Sequence, residues 1–180
     1  MLLATLGCPA CSTDPVHDAE VAALGPEAPG IPKGPYHRAG QPCGVCHSSE
    51  GPAHTTFTLA GTAFSSPYPS RVGVGGVVVN IEDEGGNICQ AITNCVGNFY
   101  VEASSSIDPC APAFPVWVGL APSLGAANTQ AMMGHIGRDS SCASCHSDPP
   151  GPTSPGHVTA GLTADAGACA YNPDLSPGGG

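Results

Sequence analysis

Hydrophobic and polar positions alternate in short runs between residues 56 and 121, and Gly, Asn and Pro separate the runs. Runs rich in β-branched, aromatic or alternating apolar residues are typical of strands. Five such segments occur, at 56–64, 76–82, 87–93, 98–102 and 114–120. The pattern predicts a small antiparallel β-sandwich. Its expected core or sheet-face residues are Val78, Ile81, Phe99 and Trp117.

The flanking segments have a different pattern. Residues 12–25 predict a helix, because Asp14 suits the N-cap, Pro15 suits the first helical position and Gly25 can end it. Residues 26–44 are rich in Pro and Gly and predict a turn-rich connector. A second short helix is expected at 127–133.

These elements predict a mainly β fold with extensive irregular loops and one or two short helices. We divide the chain into an N-terminal segment at 1–55, a β-sandwich at 56–121 and a C-terminal segment at 122–180. The composition agrees, because 25 Gly and 20 Pro among 180 residues exclude a helical bundle.

The charge and the lengths of the apolar runs exclude two kinds of partner, nucleic acids and membranes. Four basic and 14 acidic residues give a net charge of -10, so the chain lacks the basic stripe that binds nucleic acid or an anionic membrane surface. No apolar run reaches the length of about 18 residues that spans a bilayer. We therefore expect no nucleic acid partner and no transmembrane span.

Two copies of C-x-x-C-H carry the chemistry: C-G-V-C-H begins at Cys43 and C-A-S-C-H begins at Cys142. This spacing is the signature of covalent c-type haem attachment. A zinc site does not require His directly after each second Cys, and a redox dithiol favours an α/β context that this sequence lacks. We expect two haem c groups and no catalytic residues. The attachment residues are Cys43, Cys46, Cys142 and Cys145, and the proximal iron ligands are His47 and His146.

Five further histidines are available as sixth iron ligands. His37 and His135 precede the two motifs by six and seven residues and are the first candidates on the distal side. His54 and His157, which follow the motifs, are the alternatives. His17 lies on the predicted helix and is expected to face solvent. Bis-His coordination would fill both axial positions, lower the reduction potential and favour outer-sphere electron transfer over reaction with oxygen or peroxide.

The remaining six cysteines are disulfide candidates. These six are Cys8, Cys11, Cys89, Cys95, Cys110 and Cys169. Cys89 and Cys95 form the most natural local pair, and the connectivity of the other four stays open. So many cysteines indicate an oxidising compartment. The string L-G-C ending at Cys8 also resembles the end of a bacterial lipoprotein signal, so a lipid anchor at Cys8 is an alternative to a disulfide there.

Two resemblances extend these expectations. The strings A-G-T at 60–62, G-V-V-V-N-I-E-D-E-G-G-N from 76 and N-C-V-G-N-F-Y-V from 94 resemble the carboxypeptidase regulatory-like, or transthyretin-like, β-sandwich. That resemblance implies a non-catalytic spacer or contact module. The two C-x-x-C-H motifs resemble those of multihaem c-type cytochromes. In that family an upstream His near the spacing seen here often serves as a distal ligand.

The sequence therefore predicts an electron-transfer protein and not an enzyme. Expected partners are redox partner cytochromes or extracellular electron acceptors, at an extracellular or cell-surface location, with the periplasm as the alternative. One hypothesis is a homo-oligomer or filament with haems stacked between subunits. The alternatives are a monomeric or lipid-anchored shuttle and a small haem enzyme. If the two ends of the sandwich emerge together, the haems can touch within one chain.

Overall fold

The computed structural model describes residues 14–31, 33–103 and 110–161. Helix α1 spans Pro15–Ala23 and the single-turn helix α2 spans Cys43–Cys46. Six strands follow, and a short 3-10 helix lies at Cys142–Ser144. The strands are β1 at Phe57–Thr62, β2 at Val78–Glu82, β3 at Ile88–Ile92, β4 at Asn98–Glu102, β5 at Trp117–Ala121 and β6 at Gln130–Ala131.

The strands form two antiparallel sheets. One contains β1 and β4, and the other has the order β3-β2-β5-β6. Apolar side chains of both sheets meet in one buried cluster that includes Leu59, Phe99, Val79, Ile81 and Val118. Burying such side chains contributes about 1.5–3 kcal/mol each, so this cluster accounts for much of the stability of the fold. The predicted class, mainly β with few helices, is confirmed.

All five predicted strands are present, and the strand predicted at 98–102 has the observed limits. The helix begins as predicted, because the Asp14 carboxylate accepts the backbone N–H of Val16 at 2.9 Å. The helix predicted at 127–133 is wrong. Part of this segment forms β6, because the free edge of β5 offers backbone partners: Gln130 lies opposite Leu120, and the Met132 N–H donates to the Val118 carbonyl at 2.9 Å.

The predicted pair Cys89 and Cys95 is also wrong. Cys89 is bonded to Cys110. Cys89 lies on β3, which runs extended to Ile92, so six residues of chain carry Cys95 far beyond the roughly 7 Å Cα separation that a disulfide can bridge. Cys95 is disulfide-bonded as well. The disulfide and lipid-anchor candidates Cys8, Cys11 and Cys169 lie outside the described residues.

The four predicted core or sheet-face residues occupy both kinds of position. Val78, Ile81 and Phe99 are buried, and Trp117 is 42% exposed on the outer face of the four-stranded sheet. His17 does not face solvent fully, because its Nε2 is covered and has no hydrogen-bond partner. In the described ranges, no helix is both long and apolar enough to cross a membrane.

Candidate functional site: two C-x-x-C-H segments on one strand

Both C-x-x-C-H segments pack against β1. Helix α2 carries the first, and the 3-10 helix at Cys142–Ser144 carries the second. The backbone N–H of Ala60 donates to the Ser140 carbonyl at 2.7 Å, and Ala60 forms a parallel bridge with Ser141. The two ends of the sandwich therefore emerge together, although 99 residues separate the motifs along the chain.

Two glycines allow this close approach. A Cβ placed on Gly44 would meet the Ser140 hydroxyl at 2.5 Å, and one placed on Gly61 would meet the Cys142 thiol at 2.8 Å. A glycine inside a strand commonly marks such a close approach. Gly44 lies within the first motif and contacts the segment just before the second motif. Gly61 lies within β1 and contacts the second motif itself. Both contacts occur at a residue that has no side chain.

A cavity of about 220 Å³ lies beside the first motif. Its walls come from the connector before the motif, from the motif itself and from the β1–β4 sheet. The lining side chains relevant here are His37, Cys43, Cys46, His47, Phe57 and Tyr100. Both cysteines and the following histidine of the motif thus face one space.

The orientation of His47 is fixed from two sides. Its Nδ1 lies 2.7 Å from the Thr55 carbonyl oxygen, which can only accept, so Nδ1 carries the proton and Nε2 keeps its lone pair. The imidazole stacks on Phe57 with ring centres 4.0 Å apart and planes 9° apart, and Phe57 stacks on Tyr100 at 4.8 Å. A histidine held by Nδ1 in this way is able to bind a metal through Nε2.

His37 lies across the same cavity. Its ring centre is 6.0 Å from that of His47, and the two planes are 18° apart. Two imidazole nitrogens that bind one metal ion at about 2 Å each hold their ring centres roughly 6 Å apart. The separation therefore fits an iron between the two rings. In this conformation, Nδ1 of His37 accepts the Gly34 N–H at 3.1 Å, so binding iron through Nε2 requires that this hydrogen bond be given up.

The loop that carries His37 is fastened to the sheet by its backbone. The Asn98 side-chain amide donates to the His37 carbonyl at 2.9 Å, and the Asn94 amide donates to the Pro35 carbonyl at 2.6 Å. The buried Thr62 hydroxyl accepts the Gly40 N–H at 2.8 Å and donates to Asn98 at 2.7 Å. These polar groups place His37 over the cavity without engaging its ring.

Arg38 joins this loop to α1. Its guanidinium donates to the Gly25 carbonyl at 2.8 Å and to the Gln41 side chain at 2.7 Å. Cationic groups are favourable at a helix C-terminus, where backbone carbonyls lack partners. Arg38 has a φ of 53°, a conformation that non-glycine residues rarely adopt. Leu24, at the end of α1, lines the cavity.

A second cavity of about 210 Å³ lies beside the second motif. Nδ1 of His146 lies 2.6 Å from the Gly156 carbonyl oxygen, so Nε2 again keeps its lone pair. The Asp139 carboxylate accepts the Ser141 N–H at 2.8 Å and supports the turn that carries Cys142. Cys142, Cys145, His146 and Met132 line this cavity. The two motifs thus present their histidines in the same way.

The other predicted ligands lie in different surroundings. His54 is exposed and precedes Thr55, whose carbonyl holds His47. His157 likewise follows Gly156, whose carbonyl holds His146. His157 lines the second cavity, stacks on Phe64 at 4.2 Å, and has Nε2 3.1 Å from Asp148. Its Nδ1 is buried without a hydrogen-bond partner.

His135 is exposed and lies against Trp117, with ring centres 5.6 Å apart. It does not line the second cavity as His37 lines the first. His37 and His135 were the first candidates for the distal ligands, and their spacing from the motifs is nearly the same. In the structure, His37 lines the first cavity, whereas His135 lies beside Trp117.

The first cysteine of each motif has a perturbed thiol. Burial raises the pKa of Cys43 to about 11, with a smaller contribution from Cys46. Burial also raises the pKa of Cys142 to about 12, with contributions from Cys43 and Asp139. Burial disfavours the thiolate because the charge loses its hydration.

Phe99 separates the two cavities. It lines both of them, is 2% exposed, and its ring edge lies 3.0 Å from the Cβ position of Gly61. One aromatic side chain of β4 therefore forms a wall that the two sites share.

No family model, curated protein or solved structure matches the chain. Among residues 14–31, 33–103 and 110–161, no three or more His, Cys, Asp or Glu side chains are grouped to hold a metal ion by themselves. A haem iron needs fewer protein ligands, because the porphyrin supplies four. His37 and His47 at the first cavity and His146 at the second fit that requirement.

Several site residues were not predicted from the sequence. Thr55 and Gly156 act through backbone carbonyls, which leave no signal in the side-chain pattern. Gly61 did leave a signal, because a glycine within a strand indicates a close contact. Phe99 was expected in the core, and its position between two cavities depends on segments that are distant along the chain.

Proposed function

We propose that this protein is a dihaem c-type cytochrome that transfers electrons. The observation that carries the proposal is the matched orientation of His47 and His146. Each donates from Nδ1 to a backbone carbonyl, at 2.7 and 2.6 Å, which leaves the lone pair of the neutral imidazole on Nε2, and each lines a cavity together with the two cysteines of its motif.

In this proposal each motif holds one haem c, which supplies one-electron redox chemistry when bound. Cys43 and Cys46 attach the first group, and Cys142 and Cys145 attach the second. His47 and His146 are the proximal ligands. His37 is the distal ligand at the first site, supported by its separation of 6.0 Å from His47.

In this proposal the two haems lie close together within one chain. The two attachment segments share strand β1, and Phe99 lines both cavities. Electron tunnelling decreases exponentially with distance, so adjacent centres within one chain form a two-centre carrier without help from a neighbouring subunit. This supports an electron carrier that functions as a monomer, and a filament remains a hypothesis for light scattering to test.

The cysteine chemistry supports a location outside the cytosol. The Cys89–Cys110 bond and the disulfide at Cys95 are structural bonds of the kind that persist in oxidising compartments. We propose an extracellular or cell-surface location, or the periplasm, with a redox protein or an extracellular acceptor as partner.

The test is expression in a host with a c-type haem attachment system. Intact mass and haem staining should show two covalent haems, and potentiometric titration should show two one-electron steps. Fewer than two haems, or a redox-silent protein at an electrode, would contradict the proposal.

A second experiment tests the ligand assignment at the first site. His37→Ala should convert one of the two haems from a six-coordinate low-spin to a high-spin spectrum. His54→Ala is the matched control, since His54 is exposed and near the same motif, and it should leave both spectra unchanged. Equal effects of the two substitutions would contradict the assignment of His37.

A further inference from the structure

The outer face of the four-stranded sheet has a groove of about 440 Å³. It adjoins the second motif cavity, with which it shares Val118, Ala131 and Met132, and it contains none of the motif cysteines or histidines. Binding sites for small ligands have volumes of roughly 300–1,000 Å³, so the groove can hold a ligand of several rings. Strands β2, β3 and β5 form its floor, and the segment around Asn128 forms one side.

A row of side-chain amides crosses this floor. Gln90 on β3 lies opposite Asn80 on β2 and donates to it at 2.6 Å. Asn80 donates in turn to Asn128 at 2.7 Å. Each amide carries two donor hydrogens and one acceptor oxygen, so this row leaves hydrogen-bonding capacity directed at solvent. The mutual hydrogen bonds hold these groups in fixed positions before any ligand arrives.

A glycine in β5 makes the row possible. Gly119 lies opposite Asn80 in the sheet, and a Cβ at Gly119 would collide with the Asn128 amide. Gly in the middle of a strand lowers stability by roughly 0.5–1 kcal/mol relative to Ala. The glycine leaves the space that the Asn128 side-chain amide occupies.

Apolar surfaces flank the amides. Trp117 is 42% exposed and Ile88 is 65% exposed, and both line the groove. Glu82 lies between them, since it pairs with Ile88 on one side and with Trp117 on the other. In the part of the chain that the structure describes, no Lys or Arg lines the groove. This excludes a site built for phosphate or another anion.

We infer that this groove binds a neutral polysaccharide chain. Sugar rings present apolar C–H faces that pack on an indole, and hydroxyl groups that pair with fixed amides. Trp117 supplies the ring, and Gln90, Asn80 and Asn128 supply the paired donors and acceptors. This site would attach the protein to a hydroxyl-rich matrix, and its chemistry does not depend on the haem sites.

The experiment uses the full-length haem-loaded protein in native affinity electrophoresis. Gels contain dextran, amylose, a β-1,3-glucan, a galactomannan or xylan, and haem staining locates the protein. We expect at least one of these neutral polysaccharides to retard it. Trp117→Ala and Asn128→Ala should each weaken that binding at least tenfold, and Trp117→Phe should keep part of it.

The control is Tyr68→Ala, because Tyr68 is 39% exposed, similar to Trp117, and lies outside the groove. It should bind like the unmodified protein, and circular dichroism should show that all variants are folded. Absence of retardation by every neutral probe would overturn the inference, as would equal binding by Trp117→Ala. A change of oligomeric state in Trp117→Ala without polysaccharide binding would also overturn it and would identify the face as an interface between copies.

Discussion

Gly61 lies directly against the thiol of Cys142: a Cβ on this glycine would come within 2.8 Å of Sγ. The contact joins the middle of β1 to the first cysteine of the second motif. It explains how a strand at 57–62 and a motif at 142–146 form one site.

We expect Gly61→Ala to destabilise the protein by about 1–3 kcal/mol, because an added methyl group in a tight contact forces its neighbours to move. The displaced Cys142 should also reduce covalent attachment at the second motif, which intact mass measures. Gly137→Ala is the control, since nothing lies within 4 Å of its Cβ position. Full attachment and unchanged stability in Gly61→Ala would show that this contact is not important.

The planes of His37 and His47 predict a spectroscopic signature. They are 18° apart, and near-parallel axial imidazoles give a rhombic low-spin electron paramagnetic resonance signal. Perpendicular planes give a highly anisotropic signal instead. Phe57 holds the His47 plane by stacking at 4.0 Å, so Phe57→Leu should broaden or shift the rhombic signal. A highly anisotropic signal from the first haem would show that the rings do not keep this orientation.

The Thr62 hydroxyl should be needed to hold the His37 loop. Thr62→Val keeps the shape but removes the acceptor of the Gly40 N–H and the donor to Asn98. Leaving buried polar groups unpaired costs about 1–3 kcal/mol. Chemical denaturation should show this loss, together with weaker low-spin character at the first haem. Thr58→Val on the same strand is the control, and a similar loss there would contradict the explanation.

The chain without covalent haem should lose stability at alkaline pH. The pKa values of Cys43 and Cys142 are raised to about 11 and 12 in the folded state, so folding favours the protonated thiols. This contribution is complete below the ordinary thiol pKa near 9 and declines as the pH rises toward 11–12. Denaturation midpoints between pH 8 and 11 measure it.

The raised pKa values of the half-buried Cys43 and Cys142 predict that both react more slowly with an alkylating reagent at pH 8 than the exposed Cys145 does. The double variant Cys43→Ser, Cys142→Ser is the control for the predicted loss of stability at alkaline pH. Above pH 9 it should lose less stability than the unmodified chain does. Equal alkylation rates at Cys142 and Cys145 would contradict the burial argument.

The strands were predictable because their information is local. The run at 98–102 is β-branched and aromatic, and turn residues border it, so its limits follow from sequence. Residues 127–133 were not predictable in this way. Gln130 and Ala131 within this segment form β6 along the edge of β5, and that edge exists only after the sheet has formed.

The cysteines also divide into those whose role follows from local sequence and those whose bonding depends on the fold. The motif spacing predicts Cys43, Cys46, Cys142 and Cys145 as haem attachment residues without reference to the fold. The partner of Cys89 could not be identified, because extended β3 carries Cys95 away and the fold brings Cys110 near.

By itself, the sequence determined the β class, the helix start at Asp14 and the two C-x-x-C-H motifs, because local spacing and composition encode them. Only the tertiary structure decided that the motifs meet on β1, that Phe99 lies between their cavities and that His37 faces His47 while His135 lies beside Trp117. The reason is physical: a histidine reaches a site through the backbone path of its loop, and sheet pairing over long distances along the chain sets that path.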